Sequence, residues 1–240
     1  RGFGHFEDYS RTLEDLVHSM SLGRAVAANA RVEMLAGGRI WLGRKDAARI
    51  SGDFLDWQGQ ERGRPFFVFL NYFDAHVPYR PTPEYAARFV SGPLQTPLAV
   101  RLKRALGLLP QRRRDSTWAR SNQEKYDALV AGLDAELGRL FAELDRRGLG
   151  DNTLVIVTSD HGEQFGEHGL SYHGNSLYRP LLHVPLVARL AGRTPVATTV
   201  ADAVTLRDLP ATIMELAGLD GHPFPGRSWS RYWDPPEPAP

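Results

Sequence analysis

Cysteine is absent from the 240 residues of this chain. Its absence excludes disulfide bonds, thiolate metal sites and a cysteine nucleophile within these residues, although it assigns no cellular compartment. An excess of charge is also missing, because 29 basic residues stand against 28 acidic ones and give a formal net charge of +1. The sequence therefore offers no electrostatic reason to expect nucleic acid or a membrane surface as a partner.

Long apolar runs, a signal peptide and an initiator methionine are lacking as well. No run approaches the roughly 20 residues that a membrane span needs. The chain begins at Arg1, and we expect it to be the downstream part of a longer protein. Its length suffices for one α/β domain with a substantial core. We predict a single domain over residues 1–233 and a disordered, proline-rich tail over 234–240.

The most informative stretch is TLVIVTSDHGEQFGEHGLSYHG, residues 153–174. Its β-branched, apolar start predicts a buried parallel strand over 153–158. Asp160 and His161 follow that strand directly, at the sheet edge where ligands gather in α/β folds. Further carboxylates and imidazoles (Glu163, Glu167, His168 and His173) alternate with glycines that permit tight turns. This combination is typical of a divalent metal site.

A second apolar run, residues 66–72, predicts another buried strand. It also leads to an acid and a histidine, Asp74 and His76. Helical periodicity predicts helices over 45–60, 121–147 and 206–217, and residues 183–188 predict a third strand. The segment 80–117 contains several prolines and a basic cluster, and we predict an irregular insertion there.

Three motifs in this order resemble those of the sulfatase family, in the alkaline phosphatase superfamily. They are the stretch 153–174, the segment FFVFLNYFDAHVPYRP at 66–81, and LRDLPATIMELAGL at 206–219 followed by FPGRS. The resemblance implies an α/β fold with a mostly parallel sheet flanked by helices. It also implies a periplasmic, extracytoplasmic or membrane-anchored location.

The resemblance implies a role for each matched residue. Asp160 and His161 would bind one divalent metal ion, and His76 would contact the transferred group and protonate the leaving oxygen. His173 stands where many relatives have a lysine that holds the anionic oxygens of the substrate. Glu163 and His168 would orient ligands without binding the metal. Two further residues would line the pocket, Asn71 and Tyr79.

The expected activity is metal-dependent hydrolysis of a sulfate monoester on a sugar, aryl group or lipid, with Ca²⁺ or Mg²⁺ as cofactor. An alternative is a phosphate or phosphonate ester hydrolase, or a phosphoethanolamine-type transferase, with Mn²⁺ or Zn²⁺. His161 keeps this alternative open, because many sulfatases have asparagine there. A third hypothesis is a non-catalytic module that binds anions. No motif for the nucleophile occurs in these residues, and we expect it in a preceding segment.

Overall fold

The computed structural model describes residues 4–5, 45–61, 63–94, 98–106, 108, 115–219 and 224–233. The chain divides into two compact units, Arg1–Ala142 with Gly162–Leu182, and Glu143–His161 with His183–Pro240. Helices and strands occur together, and no helix among the described residues is long and apolar enough to cross a membrane. The tail predicted over 234–240 lies outside the described residues. A single domain over 1–233 stays a prediction.

The first helix of the first unit among the described residues is α1, Ala47–Gln60, which confirms the helix predicted over 45–60. Asp46 caps its start by accepting a hydrogen bond from the backbone N–H of Arg49 at 2.9 Å. One face of α1 is buried, and it combines Phe54 with the polar side chains of Ser51 and Gln58. The Phe54 ring packs against Phe66, with ring centroids 5.8 Å apart.

Residues 65–73, which we call the extended segment because burial alternates along it, belong to neither sheet, so the strand predicted over 66–72 is corrected. A strand needs a hydrogen-bonded neighbour as well as β-branched and aromatic residues, and the described residues supply no neighbouring strand. The side chains still alternate in burial, as an extended backbone requires. Tyr72 lies on the half-buried side, with its hydroxyl 3.2 Å from Ser51 Oγ, whereas Phe67 and Phe69 are exposed.

The segment predicted to be irregular, 80–117, contains two short helices, α2 (Pro83–Phe89) and α3 (Leu98–Ala105). Proline at the first position of α2 is compatible with a helix because that residue needs no N–H partner. The long helix α4, Ser116–Arg146, confirms the helix predicted over 121–147 and begins earlier than expected. Asp115 starts it by accepting the N–H of Trp118 at 2.9 Å.

The second part of the first unit is a short antiparallel hairpin followed by a helical turn. Strands β2 (Gln164–Phe165) and β3 (Ser171–Tyr172) pair with Gln164 opposite Tyr172. The loop between them contains Gly166 and His168, both at positive φ. Helix α5, Arg179–Leu182, ends this unit.

The second unit contains strand β1, Val155–Thr158, which pairs with β4, Leu186–Arg189. Strands β2 and β3 lie between β1 and β4 in the sequence. The pair is antiparallel, and every residue of β1 is half-buried. The structure thus corrects the prediction of a fully buried, parallel strand over 153–158. The composition of the run could not predict the antiparallel pairing, because the same apolar residues are found in parallel and in antiparallel strands.

Asp208 connects the two parts of the third sequence motif. It precedes helix α6, Leu209–Leu216, in the region predicted to be helical. Its Oδ1 accepts the backbone N–H of Arg227 at 3.0 Å, just after the turn at Gly226. Thr212 extends the connection, because its hydroxyl donates to the Asp208 carbonyl and accepts the N–H of Trp229. The motif therefore works as one hydrogen-bonded unit.

Gly226 provides a test of this arrangement. Its φ is +110°, and a Cβ there would lie 2.7 Å from Asp208 Oδ1 and 2.8 Å from the Arg207 carbonyl oxygen. We expect Gly226→Ala to destabilise the chain by more than about 2 kcal/mol, from backbone strain and overpacking together. Urea unfolding measures the loss.

The matched control is Gly192→Ala, because Gly192 also has a positive φ of +70° but open space around it. This control should lose only about 1 kcal/mol from the backbone conformation. Equal losses for the two variants would contradict the close approach of the turn to Asp208.

Candidate active site

Asp160 and His161 follow strand β1 in the second unit. Asp160 Oδ1 accepts the backbone N–H of His161 at 3.0 Å, and Asp160 Oδ2 lies 3.7 Å from His161 Nε2. The Asp160 side chain is 86% exposed. Ser159 supports the turn by donating its hydroxyl to the His161 carbonyl at 2.7 Å. A carboxylate and an imidazole are thus held side by side, at the end of the strand where the sequence predicted them.

A metal site needs more donors than these two. Divalent cations take at least four ligands in proteins, and hard cations take six or more. Over the ranges that the structure describes, no group of three or more His, Asp or Glu side chains could hold a metal ion. Asp160 and His161 suit a shared coordination sphere by their chemistry, but they do not complete one. Their assignment as metal ligands stays a prediction.

Gly162 follows directly and begins the loop that belongs to the first unit. Its N–H donates to the Leu181 carbonyl at 2.8 Å. A Cβ at this position would lie 1.9 Å from the Pro180 carbonyl oxygen, so no other residue fits without moving the backbone. The glycine of this motif is therefore required for close approach of two backbone segments.

Glu163 is the centre of a group that we call the Glu163 cluster: Tyr79, Glu163, His173 and His76. The Glu163 side chain is only 7% exposed. Tyr79 donates its hydroxyl to Glu163 Oε2 at 2.8 Å. His173 Nδ1 lies 3.1 Å from Oε2 and 3.2 Å from Oε1. A buried carboxylate is tolerated when donors satisfy it, and these two side chains do so.

His76 joins the cluster through His173. Their ring centroids are 5.0 Å apart, with the planes inclined at 63°. The turn that places His76 follows the extended segment, and the His76 N–H donates to the Phe73 carbonyl at 3.1 Å. His76 Nδ1 lies 2.7 Å from the Val77 carbonyl oxygen, just before a cis bond between Val77 and Pro78. The two histidines predicted to be catalytic are therefore neighbours.

The aromatic side of the cluster is formed by Tyr79, Tyr126 and Phe165, with ring centroids 5.3 to 5.9 Å apart. Burial raises the pKa of both tyrosines, and Glu163 raises both further, by its hydrogen bond with Tyr79 and by its charge near Tyr126. Both phenols therefore remain protonated at neutral pH. The Tyr79 hydroxyl therefore keeps the proton that it donates to the Glu163 carboxylate.

Two predicted residues lie elsewhere in the first unit. His168 adopts a left-handed conformation and stacks on Tyr178, with ring centroids 3.8 Å apart. It makes no contact with Glu163 or His173 in the part of the chain that the structure describes, and its assignment as a residue that orients ligands stays a prediction. Asn71 is exposed on the extended segment and makes no hydrogen bond with the cluster among the described residues. Glu163 and Tyr79 do belong to it.

Asp74, the acid that precedes His76, contacts the N-terminus of helix α1. Its Oδ1 accepts the backbone N–H of Ala47 at 3.0 Å. Burial raises the pKa of this carboxyl, and its Oδ2 is buried with no hydrogen-bond partner in the part of the chain that the structure describes. Tyr126, the other tyrosine near Glu163, lies on helix α4. No sequence signal separated it from its neighbours.

Solved structures identify the fold. A phosphonate monoester hydrolase of Agrobacterium radiobacter superposes with a TM-score of 0.64 at 23% identity, covering 81% of this chain and 45% of that one. A putative sulfatase from Bacteroides fragilis gives 0.62 at 19% identity, covering 78% and 40%. The predicted class is confirmed: a partial α/β domain of the sulfatase and alkaline phosphatase type.

The family follows from sequence comparison. The Sulfatase family model matches residues 1–219, and this chain belongs to the sulfatase family, within the alkaline phosphatase superfamily. A multifunctional alkaline phosphatase superfamily protein of Trinickia caryophylli is 30% identical over 65% of this chain and 35% of its own length. Rat steryl-sulfatase is 27% identical over 72% and 26%. The chain thus spans about a third or less of the length of these relatives.

The Glu163 cluster predicts a specific cost for losing one hydroxyl. Tyr79→Phe keeps the ring but removes a donor from a buried carboxylate, which should lower the free energy of unfolding by about 1–3 kcal/mol. Tyr126→Phe is the control, since Tyr126 contacts the same aromatic rings and its hydroxyl makes no hydrogen bond to Glu163. Urea unfolding should separate the two variants. Equal stability of the Tyr79 variant and wild type would contradict the cluster.

Proposed function

We propose that this chain forms part of a metal-dependent sulfuric ester hydrolase. The observation that supports this most directly is the contact between His76 and His173, two histidines from distant motifs whose rings lie 5.0 Å apart. Family membership supplies the reaction class, and the histidine pair supplies groups suited to it. The substrate would be a small anionic ester, with the sulfate on a sugar, aryl group or lipid.

The chemistry of a sulfate monoester explains why histidines suit this site. The ester is an anion, and its leaving alkoxide or phenoxide needs a proton as the S–O bond breaks. His76 would donate that proton as a general acid, which typically contributes about 10²–10⁴ in rate. His173 would donate a hydrogen bond to a non-bridging oxygen and hold the group in place.

The same proposal assigns the metal to Asp160 and His161. A bound Ca²⁺ or Mg²⁺ would supply Lewis-acid stabilisation of the sulfate charge. Oxygen donors favour such hard cations, whereas the imidazole would suit Mn²⁺ or Zn²⁺ as well. These residues would bind the metal and thereby orient the charged group. The 240 residues contain no sequence motif for the nucleophile.

Phosphate or phosphonate ester hydrolysis is the second candidate. Two observations favour it: His161 stands where many sulfatases have asparagine, and the Trinickia caryophylli relative is described as a multifunctional alkaline phosphatase superfamily protein. A tetrahedral phosphoryl group carries similar oxygens, so the histidine pair would suit it equally. The two candidate functions differ in whether the enzyme prefers an ester of sulfur or an ester of phosphorus.

Steady-state kinetics of the complete gene product, with any natural flanking sequence, tests the proposal. The substrates are aryl sulfate, phosphate and phosphonate esters with the same leaving group. We expect the highest kcat/KM for the sulfate ester, and a drop of about 10²–10⁴ in kcat for His76→Ala because the leaving oxygen loses its proton donor. His173→Ala should raise KM, and His173→Lys should restore part of the binding.

His183→Ala is the matched control, since His183 is exposed and lies outside the Glu163 cluster. It should keep wild-type kinetics. Phosphate or phosphonate preference would transfer the proposal to the second candidate. Full activity in both the His76 and the His173 variant would overturn the catalytic proposal, and absence of turnover with retained anion binding would favour a non-catalytic module.

A further inference from the structure

The hydrogen bonds of Glu163 determine which nitrogen of His173 carries a proton. An ionised carboxylate accepts hydrogen bonds and cannot donate them. Tyr79 O–H donates to Oε2 at 2.8 Å, and the second neighbour of the carboxylate is His173 Nδ1, at 3.1 and 3.2 Å from its two oxygens. Each contact satisfies the carboxylate only when the neighbour is the donor. His173 must therefore hold a proton on Nδ1.

We propose that Glu163 is a positioning residue that holds His173 in the Nδ1–H tautomer, with Tyr79 as the second donor that keeps the Glu163 carboxylate in place. This inference rests on the proposed function, because it concerns how His173 meets the anionic ester. In the neutral ring the lone pair then lies on Nε2. When the ring is protonated, Nε2–H is the donor that could meet a substrate oxygen.

His76 is set in the same tautomer by a different acceptor. Its Nδ1 lies 2.7 Å from the Val77 carbonyl oxygen, and a carbonyl can only accept. Both histidines of the pair thus use Nδ1 toward the protein, one toward a backbone carbonyl and the other toward a buried carboxylate. Nε2 is in each case the nitrogen assigned to proton transfer or to holding the ester.

The burial of Glu163 explains why a carboxylate occupies this position. Its side chain is 7% exposed, and that of His173 is 24% exposed. In such surroundings an acceptor with two oxygens can receive both Tyr79 O–H and His173 Nδ1–H at once. A glutamine offers one acceptor oxygen and an NH₂ group that donates. In Glu163→Gln, the side-chain NH₂ would therefore face Tyr79 O–H or His173 Nδ1–H, and two donors would point at each other. If His173 moves its proton to Nε2, its Nδ1 becomes an acceptor for the glutamine NH₂.

Nitrogen-15 NMR of histidine side chains tests the tautomer directly in this chain, without substrate or metal. The spectra are recorded about two units above the ordinary histidine pKa of about 6.5, where free imidazole is neutral. His173→Ala assigns the signal. We expect Nδ1 of His173 to be protonated in the wild type, and the Nε2–H form to gain population in Glu163→Gln.

Glu167→Gln is the control, since Glu167 lies in the same loop but accepts the backbone N–H of Phe165 instead of contacting His173. It should leave the tautomer unchanged. An unprotonated Nδ1 in the wild type would overturn the proposal even if Glu163→Gln did not fold. An identical His173 spectrum in the folded Glu163 and Glu167 variants would overturn it too.

A kinetic measurement on the complete gene product separates this inference from the proposed function. Glu163→Gln should lower kcat/KM by about 10–100-fold, as is usual for residues that orient a functional histidine, with Glu167→Gln near wild type. If Glu163→Gln lost the Nδ1–H tautomer of His173 but kept the wild-type kcat/KM, the positioning role of Glu163 would be overturned. If His173→Ala itself kept full activity, the proposed function would fail while the tautomer assignment stood.

Discussion

The buried carboxylate of Glu163 is the constraint on which the rest of the site depends. A charge with so little exposure must be satisfied by donors, and here the donors come from distant parts of the chain, Tyr79 and His173. Satisfying it draws the turn after the extended segment 65–73 onto the loop after Gly162. His76 and His173 become neighbours as a consequence.

In the second unit, too, a carboxylate joins two segments of the chain, but no pair of histidines lies beside it among the described residues. Asp208 joins helix α6 to the turn at Gly226 by a side-chain to backbone hydrogen bond. In each unit, then, one carboxylate of a sequence motif joins two separate segments of the chain by hydrogen bonds. The motif residues differ in exposure: the side chains of Asp160 and His161 are accessible to solvent, whereas Glu163 and Asp208 are largely buried and hold backbone and side chains in place.

Much of this could be predicted from local patterns. Helices α1 and α4 follow from periodicity. The resemblance to a family assigned His76 and His173 to one active site, but it did not predict that their rings are in contact. Strand pairing could not be predicted, because Val155–Thr158 is equally apolar whether its partner is parallel or antiparallel. The contact of Asp74 could not be predicted for a related reason: an acid close to a histidine in sequence can also accept a hydrogen bond from a helix N-terminus that is far away in sequence, here at Ala47. Long-range partners decide such cases.

We propose that His76 and His173 together hold the anionic group of an ester. A crystal structure of the complete gene product with a bound sulfate or non-hydrolysable sulfamate tests it most directly. The account predicts oxygens of that group within about 3 Å of Nε2 of both rings, with Glu163 still on His173 Nδ1. A ligand bound at an active site that neither histidine touches would contradict the account.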